Sequence, residues 1–301
     1  VRSPGIIRPL LLGAAGVATL AVSALPTSAA AQESQRWRTL EASRSTPASS
    51  AGDTLRVRVA YSVGRLTLGD AKPGTLYDIL VRYDANERLV SYSYDPAAHI
   101  LTVGGDSGFA RRFAISHDTD DKGPHPSLAL RLAPSVPLDL ALRLSAADAT
   151  LALGGLDVRG LSVDATASGG RVTFDKPNPS RIPSAELRAT FAGIAVSGLG
   201  NARADTVRAK ATLGRVELDL GGDWTGSTTL DLDAVLGVVT VRVPSDVGVK
   251  VDASTTLGSV DTPGFTARDG ALYSDNWSAA KRSVTIAGRA VLARLEVQRL
   301  P

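Results

Sequence analysis

Gly105-Asp106-Ser107-Gly108, preceded by Ala97-Ala98-His99, supplies the residue types of a nucleophilic serine and a general base. Such a pair works only when a ring nitrogen of the histidine reaches the serine hydroxyl and a third group orients the ring. Here the two segments read as one strand and the turn that follows it, and Gly-Asp-Ser-Gly is ordinary turn chemistry. A second cluster, His117-Asp118-Thr119-Asp120-Asp121-Lys122-Gly123-Pro124-His125, brings imidazoles and carboxylates together as a cation site would. Against a calcium loop, Lys122 falls on a ligand position and Ala129 stands where the closing glutamate belongs, so the cluster reads as a solvated acidic loop. A third candidate is the carboxylate pair Asp233 and Asp252, which could do acid–base work on a glycosidic bond if placed side by side. Lys210 alongside, and no aromatic platform for a sugar, weigh against it. No residue is therefore assigned a catalytic, cofactor-binding or metal-binding role, and no cofactor is expected.

The three tryptophans, Trp37, Trp224 and Trp277, are isolated. Trp224 lies in Gly221-Gly222-Asp223-Trp224-Thr225-Gly226, either as an exposed contact or folded back over a corner.

The bulk composition narrows the elements that could position such groups. Of 301 residues, 44% are hydrophobic but only 5% aromatic, so the core must be aliphatic. The chain has no cysteine, which excludes disulfides, a thiol nucleophile and thiolate metal sites. Its net charge is only +3, and no basic cluster with interleaved aromatics marks it for nucleic acid. Arg2 and Arg8, the apolar run Leu10–Leu25 and the small residues before Gln32 read as a secretory signal peptide over 1–31, with cleavage between Ala31 and Gln32. An uncleaved membrane anchor is the alternative. The rest of the chain has no second segment that could span a bilayer as a helix. It is expected in the periplasm, at the cell surface or outside the cell.

Residues 32–53 are polar and aperiodic and read as a linker. From Thr54 period-2 alternation dominates: Leu55, Val57 and Val59 alternate with Arg56, Arg58 and Ala60. Residues 54–133 read as an N-terminal β region. From 134 to 301 a repeat emerges, anchored at Leu151, Val172, Ile194, Val216, Val239, Val260 and Val284, at spacings of 21 to 24 residues. Upstream of the anchors lie inward sets that end in alanine: Leu161/Val163/Ala165, Ala185/Leu187/Ala189, Val207/Ala209/Ala211, Leu230/Leu232/Ala234 and Val249/Val251/Ala253. Glycines 170, 214, 237 and 258 follow at the turn, where positive φ is the expected need.

Two strands per repeat of about 22 residues predict an all-β fold, a β-solenoid whose coils stack and pair in sequence order. An antiparallel sandwich or barrel is the alternative. Outward charges on Val291–Leu300 suggest that the last strand protects an edge.

Val136–Leu142, Gly154-Gly155-Leu156, Phe174–Asn178 and above all Leu236–Val249 (LGVVTVRVPSDVGV) carry a resemblance to the bacterial toastrack family. That family includes the C-terminal domain of LiaF-like cell-wall-stress proteins and adhesin-like envelope proteins. The resemblance covers roughly 54–300. It implies a β-solenoid-like fold and a non-enzymatic role at the envelope. The leading reading is an adhesin-like binding or scaffold protein that presents a preformed surface to a protein or a cell-wall polymer. A regulator of envelope-stress signalling and a carbohydrate-active β-helix are the other readings.

Overall fold

The computed structural model describes residues 37–46, 52–84, 91–104 and 125–300. In chain order the strands are β1 (Trp37–Ser45), β2 (Leu55–Asp70), β3 (Thr75–Asp84), β4 (Tyr92–Asp95), β5 (Ile100–Gly104), β6 (Ser127–Leu132) and β7 (Pro137–Ala152). There follow β8 (Asp157–Thr166), β9 (Gly169–Thr173), β10 (Ile182–Thr190) and β11 (Gly193–Ser197). After one helical turn, α1 (Leu199–Ala202), come β12 (Ala204–Thr212), β13 (Arg215–Asp219), β14 (Thr228–Val235), β15 (Val238–Pro244) and β16 (Gly248–Thr256). The last are β17 (Ser259–Asp261), β18 (Phe265–Arg268), β19 (Ala271–Ser274), β20 (Ser283–Val291) and β21 (Arg294–Leu300).

The fold is all-β, and most of its pairing is parallel. Two ladders run side by side. The first pairs β2, β7, β8, β10, β12, β14, β20 and β16 in that order. The second pairs the C-terminal half of β7 with β9, β11, β13, β15, β21 and β17. Strands β2 and β7 are long enough to serve both halves without a break. Antiparallel additions lie at the ends, with β1 on β3, β3 on β6, β4 on β5, and the hairpin β18–β19 on β16.

Alternation explains the packing. In β7, Leu138, Leu140, Leu142 and Leu144 are buried while Asp139, Ala141 and Arg143 face outward. The predicted inward sets stack in register: Leu161 on Ala185 on Val207 on Leu230, and Ala165 on Ala189 on Ala211 on Ala234. Each buried aliphatic side chain contributes about 1.5–3 kcal/mol, and each coil supplies the apolar floor of the next.

Several expectations are corrected. The order of coils departs from the sequence, because β20 lies between β14 and β16, and β21 between β15 and β17. The last strand is therefore flanked by β15 along its length and by β17 over Arg294–Glu296, so Arg294 and Glu296 guard no edge. Val284 pairs with Thr228 and Val249 in the first ladder, so it is no anchor of the second. Val172 pairs with Val196, two residues beyond Ile194, while Ile194, Val216 and Val239 do align. A slip of two residues keeps every side chain on its own face, so alternation alone does not forbid it.

Within the 32–53 segment read as a linker, Trp37–Ser45 is a strand. Its Leu40 and Ala42 pack against the core, while most other side chains are exposed, which is why the segment looks aperiodic. Nor does the sheet break near residue 133, since β2 pairs with β7 from Leu55↔Leu138 to Leu68↔Leu151.

Candidate functional site

The carboxylate pair is taken apart by the coil order. Asp233 pairs with Arg289 and Asp252 with Ala287, so β20 separates them. Asp233 is instead clasped by Lys210 at 3.2 Å and Arg289 at 3.7 Å. On the same outer face Glu186, Arg208 and Asp231 are neighbours on successive strands, whereas β20 lies between Asp231 and Lys250. His99 sits at a turn with φ 52°, its Nε2 3.6 Å from an Asp53 carboxylate oxygen. Ser107, and residues 117–124 of the proposed acidic loop, lie outside the described residues. Among the described residues no group of three histidines and carboxylates could hold a metal.

Trp224 is folded back, not presented. It is 8% exposed, and its indole Nε1 donates to the Leu220 carbonyl at 2.6 Å. Beside it a polar seam closes the same end of the coils. Asn178 is fully buried; its Oδ1 accepts from Val158 N at 2.9 Å, and its Nδ2 donates to Val158 O at 2.6 Å and Ser180 O at 2.8 Å. One coil on, Asn201 Nδ2 donates to Phe174 O, and its Oδ1 accepts from Asp223 N. Asn178 thus satisfies buried backbone, and Asn201 ties partly exposed backbone of neighbouring coils together.

The opposite corner, where the chain passes from the first ladder to the second, is different. Each coil turns there through one residue with left-handed backbone: Ala167, Phe191, Leu213, Leu236, Leu292 and Leu257, all with φ between 49° and 53°. Five of these carry large apolar side chains that point outward, from 45% exposed at Leu213 to 83% at Leu257. The backbone locks them into a row. Phe191 N donates to Thr212 O, Leu213 N to Val235 O, Leu236 N to Val291 O and Leu292 N to Thr256 O.

An L-residue in this conformation costs about 1–2 kcal/mol, and glycine would relieve the cost. At three of the six turns glycine instead occupies the next position, and for another reason; serine or alanine stands there at the other three. A Cβ on Gly214, Gly237 or Gly258 would lie 2.5–2.6 Å from a carbonyl oxygen of the neighbouring coil. Close approach, rather than the positive φ expected from the sequence, requires these glycines. Strain repeated where it could be avoided points to a use for the side chain that bears it.

An open groove of about 1690 Å³ runs along this row, continued by Gly64 of β2 and Ala147 of β7. Its charged lining is mostly basic: Arg65, Arg82, Arg215 and Arg294 against Asp148, with His125. Arg215 also meets Glu217 at 3.7 Å, and Arg82 lies over the Trp37 ring. Arg294 is hydrogen-bonded to Asp261, and that bond raises its pKa above the ordinary guanidinium value.

Sequence reasoning did not single out this row, yet a signal is present. Leu213, Leu236 and Leu257 fall in phase with the inward sets before them, so alternation alone would bury them; the signal is the glycine that directly follows each, at the end of the strand.

No protein-family model matches the chain, and no curated protein matches it. Among solved structures, a protein of Clostridium sporogenes provisionally named a cell adhesion protein is similar over 87% of this chain and 100% of its own, with 14% identity and a TM-score of 0.41. A provisionally named adhesin of Bacteroides fragilis is similar over 88% of this chain and 98% of its own, with 12% identity and a TM-score of 0.40. One from Parabacteroides merdae gives 10% identity over 88% and 97%, with a TM-score of 0.38. Likeness at this level assigns neither ligand nor activity to the chain.

Proposed function

We propose that this chain is a non-enzymatic, exported binding or scaffold protein of the bacterial envelope, adhesin-like in role, whose contact face is the Phe191–Leu257 row. In this reading the two parallel ladders are the walls of a β-solenoid of about 22-residue coils, and the toastrack resemblance of 54–300 is a true family relation. Residues 1–31 act as the export signal. The ligand is a component of the envelope.

The observation that carries the proposal is the row itself. Four leucines and a phenylalanine are held outward on five adjacent coils, in a backbone conformation that disfavours them. Contiguous exposed apolar surface of this kind marks interaction sites. The scaffold beneath is rigid and hydrogen-bonded coil to coil, so recognition needs no folding transition and little ordering entropy is lost on contact. Support for a non-catalytic role comes from the separation of Asp233 from Asp252 by β20.

The test is sedimentation of the exported protein with envelope fragments. The native protein should co-sediment, whereas Leu213→Ser/Leu236→Ser/Leu292→Ser should stay in solution with an unchanged melting curve. Equal sedimentation of both would remove the row as the contact face. N-terminal sequencing of the exported form should begin at Gln32; a form that retains residues 1–31 would argue for an anchor instead of a cleaved signal.

A further inference from the structure

We propose that the row Phe191, Leu213, Leu236, Leu292 and Leu257 docks this protein onto the surface of an anionic lipid bilayer. The inference rests on the reading that the row is the contact face, and it names what the face meets.

The chemistry left at this corner is aliphatic contact. Each backbone N–H of Phe191, Leu213, Leu236 and Leu292 is already donated to the adjacent coil. The carbonyls that follow are taken too: Ala192 O accepts from Arg215 N, Gly214 O from Val238 N, Gly237 O from Arg294 N and Ala293 O from Ser259 N. The row runs across the coil strands, so a peptide laid along it meets no sheet edge of the kind that β-augmentation extends. A polysaccharide would find no hydroxyl partners on four leucines, and one phenylalanine is no stacking platform.

Spacing separates a lipid surface from a peptide groove. Hydrogen-bonded coils lie about 4.7–4.9 Å apart, while side chains on one face of an extended peptide recur at roughly twice the 3.2–3.4 Å rise. A peptide laid along the row falls out of register after its first contacts. Hydrocarbon and headgroups present no repeat that must match. Leucine and phenylalanine are also the residues that carry the apolar face of interfacial membrane segments.

Charge selects the lipid. Among the described residues, the groove carries Arg65, Arg82, Arg215 and Arg294 against one carboxylate, Asp148. Glu217 and Asp261 partly offset Arg215 and Arg294. A net basic margin beside an apolar row is drawn to anionic headgroups over a Debye length. The partial pairing leaves the apolar contacts as the larger contribution.

The experiment is co-sedimentation of the exported protein with vesicles of phosphatidylcholine alone and of phosphatidylcholine mixed with phosphatidylglycerol. The native protein should bind the mixed vesicles and bind the neutral ones more weakly. Leu213→Ser/Leu236→Ser/Leu292→Ser should lower partitioning at least about tenfold, since even one buried leucine is worth that factor. Arg65→Ala/Arg82→Ala should lower it less, and only on the anionic vesicles. Native protein that binds neither vesicle, or a serine variant that binds as well as native, overturns the proposal. So does a concentration-dependent dimer that is lost in the serine variant while vesicles go unbound, for then a second copy covers the row. If lipid-extracted envelope fragments still capture the native protein but not the serine variant, the contact face stands and the bilayer falls.

Discussion

The two corners of each coil solve the same problem in opposite ways. Where the first ladder passes into the second, coil after coil repeats one turn, and the large side chain points away from the protein. At the other end each connection is individual. Asn178 seals one coil, Asn201 and the α1 turn the next, and Trp224 the one after. The irregular corner turns polar and aromatic groups inward, where they complete backbone hydrogen bonds. The regular corner leaves its apolar groups outside at a conformational cost. Regularity alone is explained by stacking; outward leucines are not, and the difference locates presentation at one corner and closure at the other.

Substitutions can break this contrast. The largest effect is expected at the sealed corner. Asn178→Ala strands Val158 N and O in a fully buried site, and each stranded group costs about 1–3 kcal/mol. Denaturant unfolding should show a loss of at least that size, and a loss below about 0.5 kcal/mol would mean that the seam is not structural. Next comes the close-approach position of the open corner. In Gly237→Ala the new Cβ meets Gly214 O at 2.6 Å and the Ala211 side chain at 3.3 Å, so overpacking of about 1–3 kcal/mol is expected by the same measurement.

The smallest effect is the most discriminating because its sign is reversed. Leu236→Gly removes a left-handed penalty of about 1–2 kcal/mol and adds about 0.5–1 kcal/mol of chain entropy cost. A slight stabilisation, below about 1 kcal/mol, should accompany weaker binding to envelope fragments. Destabilisation would mean that Leu236 is a packing residue and that the corners differ less than their exposure suggests.

Much of the first ladder is legible in the sequence. The inward sets around Val163, Leu187, Ala209 and Leu232 line up as the alternation and terminal alanines predict. The strand at Trp37–Ser45 is not legible, because a strand with only Leu40 and Ala42 against the core has little pattern to show. The glycines are legible in place but not in cause. A sequence marks where a side chain is missing, but whether φ or a neighbouring carbonyl forbids it depends on atoms of another coil.

Which residues face inward can be read from the chain alone, because a strand's period of two is a local property set by chirality and sterics. So can the need for coils to stack, because no single one buries enough aliphatic surface to offset its ordering entropy. Which coil lies on which cannot be read that way and is settled by long-range pairing. Inward sets as alike as Val249/Val251 and Val284/Ile286 can each extend the same ladder, and the folded chain places β20 and β21 between their competitors. That choice separates Asp233 from Asp252 and brings Leu292 between Leu236 and Leu257, so the order of side chains along the row is set by the stacking.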